Sequence, residues 1–126
     1  MKTLLITGGA GYIGSHTCLS LLNDGYELYI IDSYVNSFPA VFEKIKKVIL
    51  KDNNKIVNKK IKTYKGSLKD ENLLNQIFSE AAALGRPIEG VIHFASLKSV
   101  SESVLHPLKY WDENLGGTIN LLKVMN

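Results

Sequence analysis

The feature that most constrains the fold is a run of four glycines close to the start of the chain. The segment TGGAGYIGSH (residues 7–16) follows the apolar run KTLLIT (residues 2–7) and precedes a segment with helical periodicity. A glycine inside a regular element costs about 0.5–1 kcal/mol of stability relative to alanine. Four glycines so close together are therefore explained if the backbone must closely approach another group at this point. The run alone also fits a simple turn. Between a first strand and a first helix, however, it favours a turn that binds nucleotide phosphates.

Strand-like and helix-like patterns alternate along the chain. Short apolar runs predict strands, and apolar residues at helical spacing predict helices between them. The strands are expected at 2–7, 26–32, 61–65 and 90–95, and the helices at 12–24, 40–51, around 73–81 and from 107 to the end, with a polar loop at 52–60. This order predicts an α/β fold, a doubly wound parallel sheet of the Rossmann type with helices on both faces.

The glycines have separate expected roles within this unit. Gly8 would permit the sharp turn, Gly11 a close approach to a pyrophosphate, and Gly14 tight packing of the helix on the strand. Their spacing is Gly-x-x-Gly-x-x-Gly, which differs from the commonest dinucleotide fingerprint, Gly-x-Gly-x-x-Gly. The position of the motif therefore carries more of the argument than its spacing.

A carboxylate at the end of the second predicted strand supports the nucleotide interpretation. Asp32 lies eighteen residues after Gly14, near the ~20-residue offset of the acidic residue that binds the adenosine ribose. Its charge would repel a 2′-phosphate, and the only arginine, Arg86, is distant in sequence. NAD is therefore favoured over NADP. The alternative is that Asp32 only begins an Asx-turn at the start of a loop.

Composition argues against several other functions. The net charge is +3, but nine of the fifteen basic residues lie between Lys44 and Lys65, in a run that matches no nucleic-acid motif. No apolar stretch is long enough for a membrane span, and none has the form of a signal peptide. The single cysteine, Cys18, excludes an internal disulfide and suits a reducing, cytoplasmic location. With His16 and His93 it forms no metal-ligand spacing, so we expect packing or hydrogen-bonding roles for all three.

Two longer segments resemble a known family. TGGAGYIGSHT (7–17) and VIHFASLKSVSESVLHPLKYWDENLGGT (91–118) are similar to the N-terminal half of UDP-glucose 4-epimerases, members of the extended short-chain dehydrogenase/reductase family. The resemblance implies NAD-dependent epimerisation of UDP-glucose and UDP-galactose at C4, through a 4-keto intermediate, in a homodimer. Residues 1–126 would then be the NAD-binding Rossmann domain, with the C-terminal catalytic and UDP-sugar-binding part absent. The alternatives are another extended short-chain dehydrogenase acting on nucleotide sugars, and a non-catalytic NAD-binding module.

The same resemblance implies which residues contact NAD. The glycine turn would line the pyrophosphate, the end of the second strand would hold the ribose, and the segments after the third and fourth strands would border the rest of the cofactor. The implied residues are Gly8, Gly11, Tyr12, Ile13, Gly14, Asp32, Asn36, Ser37, Ser67, Leu68, Phe94, Ala95, Leu97, Lys98 and Asn114.

Three residues depart from the family pattern. Ser67 stands where the family usually has aspartate against the adenine, and with Asp70 it also fits a helix capping box, which we favour for it. Ser96 and Ser101 each replace a usual glycine. An added side chain at Ser96 would narrow the nicotinamide end of the pocket.

No catalytic residue is expected in these 126 residues. The family's general base is a tyrosine whose pKa is lowered by a lysine four positions later, and none of the six tyrosines has a lysine at that distance. We therefore expect the chain alone to be inactive. The last helix has apolar residues on more than one face between Leu115 and Met125, which predicts burial on both sides, one of them packed on the sheet. The resemblance implies that the other side joins the homodimer interface. Trp111 is expected in the core or an interface.

Overall fold

The computed structural model describes residues 2–49 and 60–126. Within them, four parallel strands form one sheet in the order β3-β2-β1-β4. The strands are β1 (Thr3–Thr7), β2 (Glu27–Asp32), β3 (Ile61–Lys65) and β4 (Gly90–His93). The helices are α1 (Tyr12–Asn23), α2 (Ala40–Ile49), α3 (Glu71–Ala83), α4 (Val100–Leu105), α5 (Pro107–Tyr110) and α6 (Gly117–Met125), with a π-helical turn at Trp111–Gly116. This confirms the predicted fold class.

Both faces of the two central strands are buried, which explains their nearly continuous apolar sequences. In register, Leu5 of β1 pairs with Tyr29 of β2, and the next residue, Ile6, pairs with Ile30. Side chains alternate across the sheet, so each pair supplies a different layer. Ile6 and Ile30 pack with Cys18 of α1 and with Phe42 and Ile45 of α2. Leu5 and Tyr29 pack with Leu74, Ile77 and Ala81 of α3 and with Leu121 of α6.

The observed helix boundaries follow local signals, with one correction. Helix α1 ends just before Gly25, which has a φ of +90°, and the side chain of Asp70 caps α3 by accepting from Leu73 N at 3.0 Å. The favoured capping box with Ser67 is wrong, because the Ser67 hydroxyl instead accepts from Lys69 N at 3.1 Å in the preceding turn. The end of the predicted second helix and the loop at 52–59 lie outside the described residues.

The segment after β4 is more divided than the sequence indicates. Strand β4 ends at His93 rather than at residue 95, and the short helix α4 was not predicted. The chain is helical from Pro107 to Met125, as expected, but the π-helical turn interrupts the α-helical hydrogen bonding. Trp111 lies in this turn with 65% of its surface exposed, so it is not in the core, and its other predicted place, in an interface, stays a prediction. Among the described residues, no helix has the length and apolar character needed to cross a membrane.

Candidate functional site

The carboxyl ends of all four strands border one crevice, with a cavity volume of about 590 Å³. Ligands in open parallel sheets bind at this edge. Every residue that the sequence singled out for cofactor contact lines this cavity: Gly8, Gly11, Tyr12, Ile13, Gly14, Asp32, Asn36, Ser37, Ser67, Leu68, Phe94, Ala95, Leu97, Lys98 and Asn114. Sequence reasoning missed further lining residues, among them Gly66, Glu102 and Tyr110.

Two glycines, one in the turn after β1 and one in the first turn of α1, are required by space. Gly8 has a φ of +68°, and a Cβ there would lie 2.7 Å from the backbone nitrogen of Ala95. A Cβ on Gly14 would overlap the carbonyl oxygen of Gly8 and lie 3.0 Å from the Cα of Gly9. The expectation that Gly14 packs the helix on the strand therefore needs correction, because its neighbour is the turn itself. The glycines allow α1, the turn and the loop after β4 to approach one another closely.

The first turn of α1 presents unpaired donors to the crevice. Among the described residues, no side chain caps this end of the helix, and its first turn contains no acidic residue. A Cβ built on Gly11 would lie 3.4 Å from the carbonyl oxygen of Gly8, an ordinary contact. The first N–H groups of a helix lack intrahelical partners, and the helix dipole is positive at this end. The arrangement suits an anion such as a pyrophosphate.

Asp32 is held at the rim of the crevice by three hydrogen bonds. Its Oδ2 accepts from Ala10 N at 2.9 Å, and its Oδ1 accepts from Tyr34 N at 2.8 Å and from the Ser37 hydroxyl at 3.3 Å. The bond to Tyr34 forms the Asx-turn that the sequence left as the alternative, and Tyr34 has a φ of +60°. The Asx-turn does not use all the hydrogen-bonding capacity of the Asp32 carboxylate. Because Oδ2 has a single protein donor, it retains a lone pair for a ligand hydroxyl.

The far wall of the crevice is the loop after β4. The Asn114 side chain holds this loop at Leu97, since its Oδ1 accepts from Leu97 N at 2.7 Å and its Nδ2 donates to Leu97 O at 2.9 Å. On the other side of the π-helical turn, Asp112 and Glu113 form ion pairs with Lys69, at 2.5 and 3.4 Å. The turn thus connects the loop after β3 to the loop after β4. Asn114 was expected to contact a cofactor, and its amide is also a structural clamp.

No group of histidine, cysteine and acidic side chains within 2–49 and 60–126 could hold a metal ion. Tyr110 lies in the crevice, but its hydroxyl accepts from Ser99 N at 3.0 Å and donates to Glu102 at 3.4 Å. Lys109, the nearest lysine in sequence, pairs with Glu102 at 2.8 Å. The described crevice therefore offers backbone donors, apolar walls and the carboxylates of Asp32, Glu102 and Glu113, of which Glu102 and Glu113 are paired with lysines.

Comparisons with known proteins agree with this geometry. UDP-glucose 4-epimerase 2 of Arabidopsis thaliana is 44% identical over 124 residues, which cover 98% of this chain and 33% of the relative. UDP-glucose 4-epimerase of Bacillus subtilis is 43% identical over 122 residues, covering 97% and 32%. A solved structure of UDP-glucose 4-epimerase from Bifidobacterium longum, in complex with NAD+ and UDP, superposes with a TM-score of 0.83 at 44% identity, covering 98% of this chain and 33% of that one.

These relatives confirm the resemblance seen in the sequence. The chain spans about a third of the length of the relatives it matches. A family model described as GDP-mannose 4,6 dehydratase matches residues 5–126, which include the end of β1, the glycine turn, the other three strands and the π-helical turn. The chain therefore belongs to the GDP-mannose 4,6 dehydratase family.

Proposed function

We propose that this chain binds NAD as the cofactor-binding part of an enzyme that interconverts UDP-glucose and UDP-galactose. The observation that carries the proposal is the single crevice in which the glycine turn, Asp32 and the loop after β4 meet. The Bifidobacterium longum epimerase, solved in complex with NAD+ and UDP, supports the same assignment. The shared sequence extends across 98% of this chain.

The residues fit NAD at three places. The uncapped end of α1, which begins after Gly11, would receive the pyrophosphate. The free lone pair of Asp32 Oδ2 would accept from a ribose hydroxyl, with Asn36 and Ser37 beside it. Leu97 would border the cofactor after β4, and Lys98 would reach its phosphates or ribose. The chemistry supplied by the bound cofactor is removal and return of a hydride at sugar C4, through a 4-keto sugar. The chain's own task is to hold and orient it.

Titration with NAD and NADP by calorimetry tests the cofactor assignment. We expect NAD to bind more tightly, because the carboxylate of Asp32 repels a 2′-phosphate. Asp32→Asn should weaken NAD binding about tenfold and narrow the preference over NADP, since an acceptor for the ribose is lost. Asp24→Asn, an exposed change at the other end of α1, is the matched control and should change neither. Tighter binding of NADP by the unchanged chain would refute the role of Asp32.

We propose that the 126 residues alone do not catalyse epimerisation. A missing general base typically lowers a rate by about 10²–10⁴-fold, and the crevice tyrosine Tyr110 is engaged with Ser99 and Glu102. The assay mixes the chain with UDP-galactose and NAD+ and follows UDP-glucose. Turnover lost on mutating a residue of this chain would overturn the proposal. Turnover of a different nucleotide sugar by the intact enzyme would favour the alternative, another extended short-chain dehydrogenase. NAD binding with no activity in any longer form would favour a non-catalytic module.

We also propose a homodimer that forms through α6. Leu121 of this helix is buried against the sheet layer, while Leu115, Ile119 and Leu122 are 47%, 43% and 58% exposed. Their spacing places them on one face. Light scattering should find self-association that the double change Ile119→Gln and Leu122→Gln reduces, with Leu105→Gln in α4 as the control. A chain that stays monomeric at high concentration would contradict this interface.

A cytoplasmic location is proposed from the free thiol of Cys18.

A further inference from the structure

A chain of hydrogen bonds crosses the sheet edge beside the crevice and passes through His93. The Thr118 hydroxyl lies 2.7 Å from the carbonyl oxygen of Asn114, which can only accept, so Thr118 donates its one hydrogen there. The same hydroxyl oxygen is 3.1 Å from Nε2 of His93. It must accept in this second bond, and Nε2 therefore carries a hydrogen.

The other ring nitrogen is determined by the same argument. The Thr7 hydroxyl oxygen accepts from Ala95 N at 3.1 Å and lies 2.6 Å from Nδ1 of His93. In a neutral ring with a hydrogen on Nε2, Nδ1 is an acceptor, so the hydroxyl of Thr7 donates to it. Thr7 is fully buried, and this bond gives its hydroxyl hydrogen a partner. Partial burial and the nearby ammonium of Lys98 lower the pKa of His93, which favours the same neutral ring.

Both ends of this hydrogen-bond chain reach the wall of the crevice. At one end Ala95 is bound by Thr7, which belongs to β1. At the other end Thr118 holds the backbone of Asn114, whose side chain clamps both backbone groups of Leu97. Ala95 is thus attached to β1 through Thr7, and Leu97 is attached to α6 through Asn114 and Thr118. Thr7 and Thr118 both bind the imidazole of His93. A displacement of the ring would move both attachment points.

We propose that His93 is a positioning residue of the crevice. Held as the neutral Nε2–H tautomer between Thr7 and Thr118, it sets the separation of the loop after β4 from the π-helical turn, and with it the wall against which the dinucleotide binds. This inference rests on the proposed binding of NAD for its effect on affinity, but the tautomer and its two partners are independent of that binding.

Two measurements on the chain test the proposal separately. Long-range proton–nitrogen NMR correlations of the His93 ring, recorded at neutral pH without NAD, should show a protonated Nε2 and a bare Nδ1. A protonated Nδ1, or a ring that exchanges freely between tautomers, would overturn it whether or not the chain binds NAD. Thr118→Val should then relax the tautomer preference, while Thr118→Ser should retain it.

The second measurement is the affinity for NAD. We expect Thr118→Val to weaken binding about tenfold, the size of one lost hydrogen bond at a constrained site, and Thr118→Ser to restore the original affinity. A general loss of stability in Thr118→Val would not by itself change the tautomer of His93 seen by NMR, nor couple that change to the recovery of affinity in Thr118→Ser. Equal affinity of the valine and serine variants would refute the positioning role. Absence of NAD binding by the unchanged chain would instead refute the proposed function, and the NMR result would still decide the tautomer.

Discussion

The space around Gly14 gives a prediction whose sign depends on the structure. On an exposed helix, Gly→Ala is stabilising by about 0.5–1 kcal/mol, because alanine loses less conformational freedom on folding. At Gly14 the added methyl would overlap the carbonyl oxygen of Gly8 and press on the Cα of Gly9 at 3.0 Å. Both obstacles are backbone atoms, which cannot change rotamer to make room.

The expected magnitude follows from these opposing effects. Overpacking a well-packed site costs about 1–3 kcal/mol, and the upper end applies because rigid backbone is displaced. After subtraction of the helix gain, Gly14→Ala should lower the free energy of unfolding by about 2 kcal/mol. It should also weaken NAD binding, since the displaced turn carries Gly8 and lines the crevice.

Gly116→Ala is the matched control. Gly116 has helical angles (φ −60°, ψ −43°), and a Cβ there would lie 3.6 Å from Asp112 Oδ1, an ordinary contact. This variant should be stabilised by about 0.5–1 kcal/mol. Urea unfolding followed by far-UV circular dichroism measures both. If Gly14→Ala proves as stable as Gly116→Ala, the close approach of α1 to the glycine turn is not the reason for a glycine at residue 14.

Two further predictions concern ionisable side chains. Cys18 is fully buried, and burial raises the pKa of its thiol to about 12, so an alkylating reagent should label it only in denaturant; rapid labelling of the folded chain would contradict its place in the core. Hydrogen bonds from Tyr64, Gln76 and Lys62 lower the pKa of Glu80 to about 2, from an ordinary 4.5. Because the pKa of Glu80 is lower in the folded state than in the unfolded state, the ionised carboxylate stabilises the fold above about pH 4.5. This stabilisation is lost as the pH falls toward 2. Glu80→Gln should therefore reduce the acid sensitivity of the free energy of unfolding, and an unchanged pH profile would refute the role of this cluster.

Local sequence signals were sufficient for most of the fold. The apolar runs of β1 and β2 predicted buried strands because both of their faces are covered, and the glycine run predicted the turn because few other residues tolerate such close approach. Asp32 was placed correctly at the rim of the crevice because it is the last residue of β2, and the carboxyl ends of the strands border the crevice. These features depend on neighbours in the chain, and such neighbours can be read from the sequence.

Residues distant in sequence decided the rest. The clamp of Asn114 on Leu97, the ion pairs of Lys69 with Asp112 and Glu113, and the contact of Thr7 with His93 join segments separated by 17, 43, 44 and 86 residues. No local propensity encodes such pairings. The π-helical turn and helix α4 were missed for a related reason: their exposed apolar residues, such as Trp111 and Val104, do not show the one-sided periodicity that a helix packed on a sheet produces. The sequence by itself indicated many of the residues that border the crevice, whereas Gly66, Glu102 and Tyr110 were found there only in the fold. Only the packing of α6 and the π-helical turn against the sheet determined what holds these residues in place, because a hydrogen bond between distant residues exists only once the fold has brought its donor and acceptor together.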